Sequence, residues 1–210
     1  MKKNKEKKNE KEQEKNRDTS AISIAGARSR NKENKGFNTV YYYLAIMVIF
    51  VFLIILTPIL QMQNSDSWKL LFSFFSFFCH QKFERSLCLN QNYQLGNCDI
   101  ASNFIYQFPV CSRDISFYLA MLIGGFLVLF LKKKDEIKIP DIIWLILFIA
   151  PMAVDGLTQL FGLRESTNEI RIVTGSIAGI IIPFYMIPII NRFISVGERN
   201  KRKKQIETRC

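Results

Sequence analysis

The chain has 210 residues, a formal net charge of +11 and 49% apolar residues, with eighteen phenylalanines gathered in runs rather than spread evenly. Such clustering points to membrane spans instead of one soluble core. The basic excess lies in the two ends, where residues 1–36 carry twelve Lys/Arg against six Asp/Glu and residues 192–210 seven against two; neither tail offers a groove-reading element, which excludes nucleic-acid binding and reads as juxtamembrane charge.

Residues 1–36 are rich in Lys, Glu and Asn and have too little apolar surface to offset the entropy of ordering, so a disordered basic tail is predicted there. The first long apolar stretch starts near Val40. It is about twice the length of a signal h-region and lacks a small-residue cleavage site, so it is predicted to stay as an anchor. Spans are predicted at Tyr41–Met62, Ile115–Leu131, Ile142–Leu163 and Ile170–Asn191, each near the 20 or so residues that a hydrocarbon core requires. The aromatic run Trp68–Cys79 is too short to cross and reads as an interfacial or re-entrant helix. The fold class is therefore an all-α integral membrane protein of four transmembrane helices, with residues 37–191 as the membrane domain and 192–210 as a second basic tail.

Lys132, Lys133, Lys134 and Lys138 join the second span to the third. With both tails basic as well, the positive-inside rule places these three segments in the cytoplasm, a parity that four spans satisfy. A multi-pass protein of the plasma membrane follows, with both termini cytoplasmic. The connection 63–114 and the turn 164–169 then share the outer face.

Asp155 is an acidic residue inside an apolar span, which is costly without a partner or a task. It lies thirteen residues beyond Ile142, about 20 Å up the helix and so in the outer third of the bilayer. Gln159 follows one turn later on the same face, and Arg171 opens the next span within reach. Gly175 and Gly179 on the fourth span, with Gly124 and Gly125 on the second, suit close helix packing. Pro183 and Pro188 are expected to bend the fourth span.

Four cysteines, Cys79, Cys88, Cys98 and Cys111, fall in the outward connection, where disulfides are permitted. Four cysteines allow three pairings; Cys88 with Cys98 and Cys79 with Cys111 is the favoured one. A divalent metal such as zinc is the competing reading, with Cys79, His80, Cys111 and Asp114 as ligands. That reading requires a helix to end at His80. His80, the sole histidine, is also a candidate proton shuttle, and with Asp155 forms the candidate catalytic pair. Arg85, Arg113, Arg164 and Arg171, near Glu84, Asp114, Asp155 and Glu165, form either a structural ion-pair network or an anion pocket. In the second case Gln159 and Asn168 join the arginines in holding an anionic lipid headgroup or lipid-linked phosphate.

The sequences Cys79-His80-Gln81, Glu84-Arg85-Ser86 and Pro109-Val110-Cys111-Ser112-Arg113-Asp114 come first, followed by Asp155-Gly156, Gln159, Arg164-Glu165-Ser166-Thr167-Asn168, Arg171 and Thr174-Gly175. Their order resembles DUF2085, a family of small archaeal and bacterial predicted membrane proteins with a domain of unknown function. The resemblance covers about residues 70–192. It implies a several-span membrane protein and carries no reaction. Many relatives have a second cysteine where this chain has Asp114, a departure that weighs against a dithiol mechanism at Cys111 but leaves a metal site intact. Residues Leu87–Gln107, with Cys88 and Cys98, look like an insertion peculiar to this lineage.

Three functions are consistent with these residues: a metal-dependent membrane enzyme acting on an anionic lipid-linked substrate, a non-catalytic binding or assembly protein, and a thiol oxidoreductase. Four spans without an internal repeat give little basis for alternating access in a monomer, although a homo-oligomer would supply further helices.

Overall fold

The computed structural model describes residues 39–131 and 139–207. The N-terminal tail, the lysine-rich connection at 132–138 and residues 208–210 lie outside the described residues, as do the expectations attached to them. Among the described residues four helices are long and apolar enough to cross a membrane: α1 (Thr39–Met62), α3 (Ser112–Leu131), α4 (Ile142–Leu160) and α5 (Asn168–Glu207). The short helix α2 (Ser67–Phe75) occupies the predicted aromatic run.

Several boundaries differ from expectation for local reasons. Helix α2 ends at Phe75, so Cys79 and His80 belong to a loop. Helix α4 stops three residues before the predicted Leu163, because Gly162 takes a left-handed φ of 67° and its N–H donates to Gln159 O at 3.2 Å while Leu163 N–H donates to Thr158 O at 3.0 Å. These bonds satisfy the free carbonyls of the last turn. Helix α5 passes the predicted end at Asn191 and continues through Pro183 and Pro188 to Glu207.

The connection between α2 and α3 contains a three-stranded antiparallel sheet, an addition to the expected all-α fold that the reading of residues 87–107 as a lineage-specific insertion did not anticipate. Its strands are β1 (Ser86–Leu89), β2 (Leu95–Asn97) and β3 (Tyr106–Cys111), in the order β2-β1-β3. The Cys88–Cys98 disulfide closes the hairpin of β1 and β2. The sheet is fixed to the bundle by a reciprocal amide pair: Gln61 Nε2 donates to Gln107 O at 2.9 Å, and Gln107 N–H donates to Gln61 Oε1 at 3.0 Å. Beneath it, Ile54, Phe75, Leu87, Phe108 and Val110 form one apolar cluster, while Tyr43, Leu44, Met47, Met121, Val128 and Ile187 form another between α1, α3 and α5.

Helices α3 and α5 lie backbone to backbone. A Cβ at Gly175 would fall on Arg113 O, one at Gly179 on Phe117 O and one at Gly124 on Ile180 O, so the small residues permit the approach. Helix α4 is the outlier. Its only buried residue is Asp155, and its other end is tied by Tyr185 Oη donating to Asp141 O at 2.8 Å.

Candidate functional site

The end of the bundle where α1 and α4 finish and α3 and α5 begin gathers most of the predicted site residues. Asp155, 4% exposed, sits five residues before the end of α4. One of its carboxylate oxygens pairs with Arg113 Nη2 in the first turn of α3, and the other accepts from Arg164 Nη2 at 3.0 Å. The turn at Gly162 folds the chain back so that Arg164 reaches the helix it has just left. Gly156 lies beside the first pair, and a Cβ there would make only ordinary contact with Arg113 Nη1, at 3.5 Å.

Arg171, one turn into α5, is 5% exposed. It donates from Nη1 to Asn168 Oδ1 at 3.0 Å and, contrary to the expectation that it reaches Asp155, makes no ion pair among the described residues. Asn168 is held in turn: its Oδ1 lies 2.9 Å from Ser112 Oγ, and its Nδ2 donates to Asn97 Oδ1 at 2.9 Å. Ser112 Oγ also lies 3.1 Å from Arg85 O. Three buried donors here have no partner among the described residues: Arg113 Nε, Gln159 Nε2 and Arg171 Nε. Glu84 and Glu165 are exposed and join no ion pair among the described residues.

A second group lies at the junction of β3 and α3. Ligand atoms of Cys79, Cys111 and Asp114 fall within 4.8 Å of one another, all half-buried. The predicted Cys79–Cys111 disulfide is not formed, both residues being free thiols. His80 is exposed and outside this group, because the helix ends earlier and Gln81, at φ 51°, turns the chain away. Gln81 then anchors the loop, its Nε2 donating to Phe72 O at 2.6 Å and Pro109 O at 2.9 Å. Cys79 Sγ accepts from Cys111 N–H at 3.3 Å, and Cys111 Sγ lies 3.1 Å from Asp114 Oδ2. Its interaction with Cys111 holds the Cys79 thiol below its usual range. The same interaction, with burial and the Asp114 carboxylate, pushes the Cys111 thiol up.

Ser112, Asn97, Gln81 and Gln107 support both groups and were not singled out from sequence. Asn97 lies in the apparent insertion, and nothing in its neighbours signals a bond to Asn168. Ser112 and Gln81 stand inside the recognisable motifs, which was the available signal.

Four apolar helices capped at one end by a polar, arginine-rich cluster define an integral membrane protein. The chain belongs to the DUF2085 family of predicted membrane proteins, whose model matches residues 102–185. It is 38% identical over 157 residues to the uncharacterized protein MJ1492 of Methanocaldococcus jannaschii, a match covering 70% of this chain and 92% of that one. It is 35% identical over 106 residues to an uncharacterized protein of Methanothermobacter thermautotrophicus, covering 50% of this chain and 81% of the relative. No solved structure matches it.

Proposed function

We propose that this protein binds the phosphate of an anionic lipid or lipid-linked molecule at the outer surface of the plasma membrane. The observation that carries the proposal is Arg171: a buried guanidinium with no carboxylate in an ion pair with it among the described residues and with Nε unbonded. An unpaired buried charge is expensive, whereas an anion accepting in bidentate fashion from Arg171 would satisfy it. Arg113 Nε and Gln159 Nε2 offer further donors, and the N-termini of α3 and α5 add positive partial charge at the same end. An amphiphile is preferred to free phosphate because the end of α4 near the site carries exposed apolar residues, Leu157, Leu160, Phe161 and Leu163, that suit contact with an acyl or prenyl chain. The outward orientation rests on the positive-inside rule, with both termini in the cytoplasm.

Asp155 has a different part in this reading. It anchors α4 and orients Arg113, leaving Arg171 for the ligand.

The test is thermal unfolding of the full chain in neutral detergent. Short-chain phosphatidate should raise the midpoint, while phosphatidylcholine and inorganic phosphate should raise it little. Arg171→Gln should remove the increment and Arg171→Lys should restore part of it. An equal shift in Arg171→Gln and the parent would overturn the proposal, and a full response to inorganic phosphate would replace the lipid with the free ion.

A further inference from the structure

We infer that Cys79, Cys111 and Asp114 form a binding site for one zinc-class cation, held by three protein ligands with a fourth position open. This site uses residues other than those of the phosphate proposal and stands or falls separately.

The group is built for the task by its surroundings. Cys111 ends β3 and Asp114 lies in the first turn of α3, so strand and helix fix two ligands three residues apart in sequence. The third comes from a loop that would wander if free, but Gln81 is bonded to α2 and β3 at once, and Gln107 Nε2 donates to Gln81 O at 2.9 Å. Cys79 therefore has a fixed approach. Its sulfur already receives a backbone N–H from Cys111, the kind of outer contact that supports a metal-bound thiolate.

Distances suit a small ion. Tetrahedral coordination with Zn–S near 2.3 Å places two sulfurs about 3.8 Å apart. The ligand atoms here lie within 4.8 Å, so side-chain rotations closing them by about 1 Å would complete the shell. Cys111 Sγ and Asp114 Oδ2 are already 3.1 Å apart, and on binding the ion would replace the thiol proton between them. Two thiolates favour a soft or borderline ion such as zinc over magnesium or calcium, and three protein ligands match the open pattern instead of the closed four-ligand one. The state of the other cysteines agrees: Cys88 and Cys98 are joined, whereas Cys79 and Cys111 remain thiols although they face each other.

The experiment is elemental analysis of the full chain, purified in detergent without chelator from cells grown with added zinc, together with cobalt(II) titration of the stripped protein. About one zinc per chain and thiolate-to-cobalt charge-transfer absorption are expected. Cys79→Ser should weaken binding by more than the roughly 10–100-fold that loss of an outer-shell partner costs. Should that variant fail to fold, Asp114→Asn, which keeps the side chain's shape, should show the same direction of change. Arg171→Gln should retain the metal. The inference is overturned if folded parent protein binds no zinc or cobalt, if the Cys79→Ser/Cys111→Ser double variant keeps the metal, or if mass mapping without reductant shows a Cys79–Cys111 disulfide.

Discussion

Asp155 and Arg164 form one ion pair whose members differ in exposure, and that difference decides what each removal costs. The aspartate side chain is 3% exposed and the Arg164 side chain 54%. Replacing the buried partner leaves Arg113 without its counter-charge, a loss of about 3–5 kcal/mol for a buried pair. Replacing the exposed one costs at most about 1 kcal/mol. Asp155→Asn should therefore lower the unfolding midpoint sharply in detergent, and Arg164→Ala should barely move it. Equal effects would show that Asp155 is bound no more strongly than a side-chain hydrogen bond between membrane helices, worth about 0.6 kcal/mol on average. The sequence announced Asp155 because carboxylates are rare in spans. It could not assign its partners, since Arg113, Arg164 and Arg171 all occupy the right end of the bundle. The choice among them depends on the turn at Gly162 and on the Asn168 amide, which draws Arg171 aside.

At the scale of elements, the glycine seam and the disulfide hairpin give opposite lessons about legibility. Gly175 and Gly179 stand four apart in an apolar span, and that spacing predicts the close packing that α3 and α5 display. Gly179→Leu should abolish the monodisperse folded protein on size-exclusion chromatography, because the side chain would meet the Phe117 carbonyl. Gly197→Ala, on the same helix but with nothing within 4 Å, should be neutral or stabilising by about 0.5–1 kcal/mol. The sheet was hidden because its strands are three to six residues long and their register is set by contacts outside them, including the Gln61–Gln107 amide pair. Only its staple was visible, as two cysteines ten residues apart. Cys88→Ser/Cys98→Ser should destabilise the connection between α2 and α3 by about 2–4 kcal/mol, seen as faster hydrogen exchange across β1 and β2 with the helix amides unchanged.

For the whole molecule, four spans bring the Cys79 loop and the Arg164 turn to one end of the bundle, and two spans more or fewer would do the same; an odd number between them would not. Single-cysteine labelling on a background lacking the thiols should make residues at positions 80 and 164 reactive to an impermeant reagent added outside intact cells, with a probe at 195 reactive only after lysis. Labelling of 80 and 164 from opposite sides would dissolve the site. Helix α4 shows how the bundle divides its labour: it faces outward with apolar residues nearly everywhere and turns one carboxylate inward, so a polar contact decides where an otherwise lipid-soluble helix docks. The same end then holds three buried or half-buried arginines, Arg85, Arg113 and Arg171, against two such carboxylates, Asp114 and Asp155, and of the arginines Arg171 is the most deeply buried while having no ion pair among the described residues.

That surplus is best examined by native mass spectrometry of the full chain released from its own membranes in mild detergent. The account predicts one phosphate-bearing anionic molecule retained per chain and lost from Arg171→Gln. Parent and variant carrying the same lipids in the same amounts would contradict it.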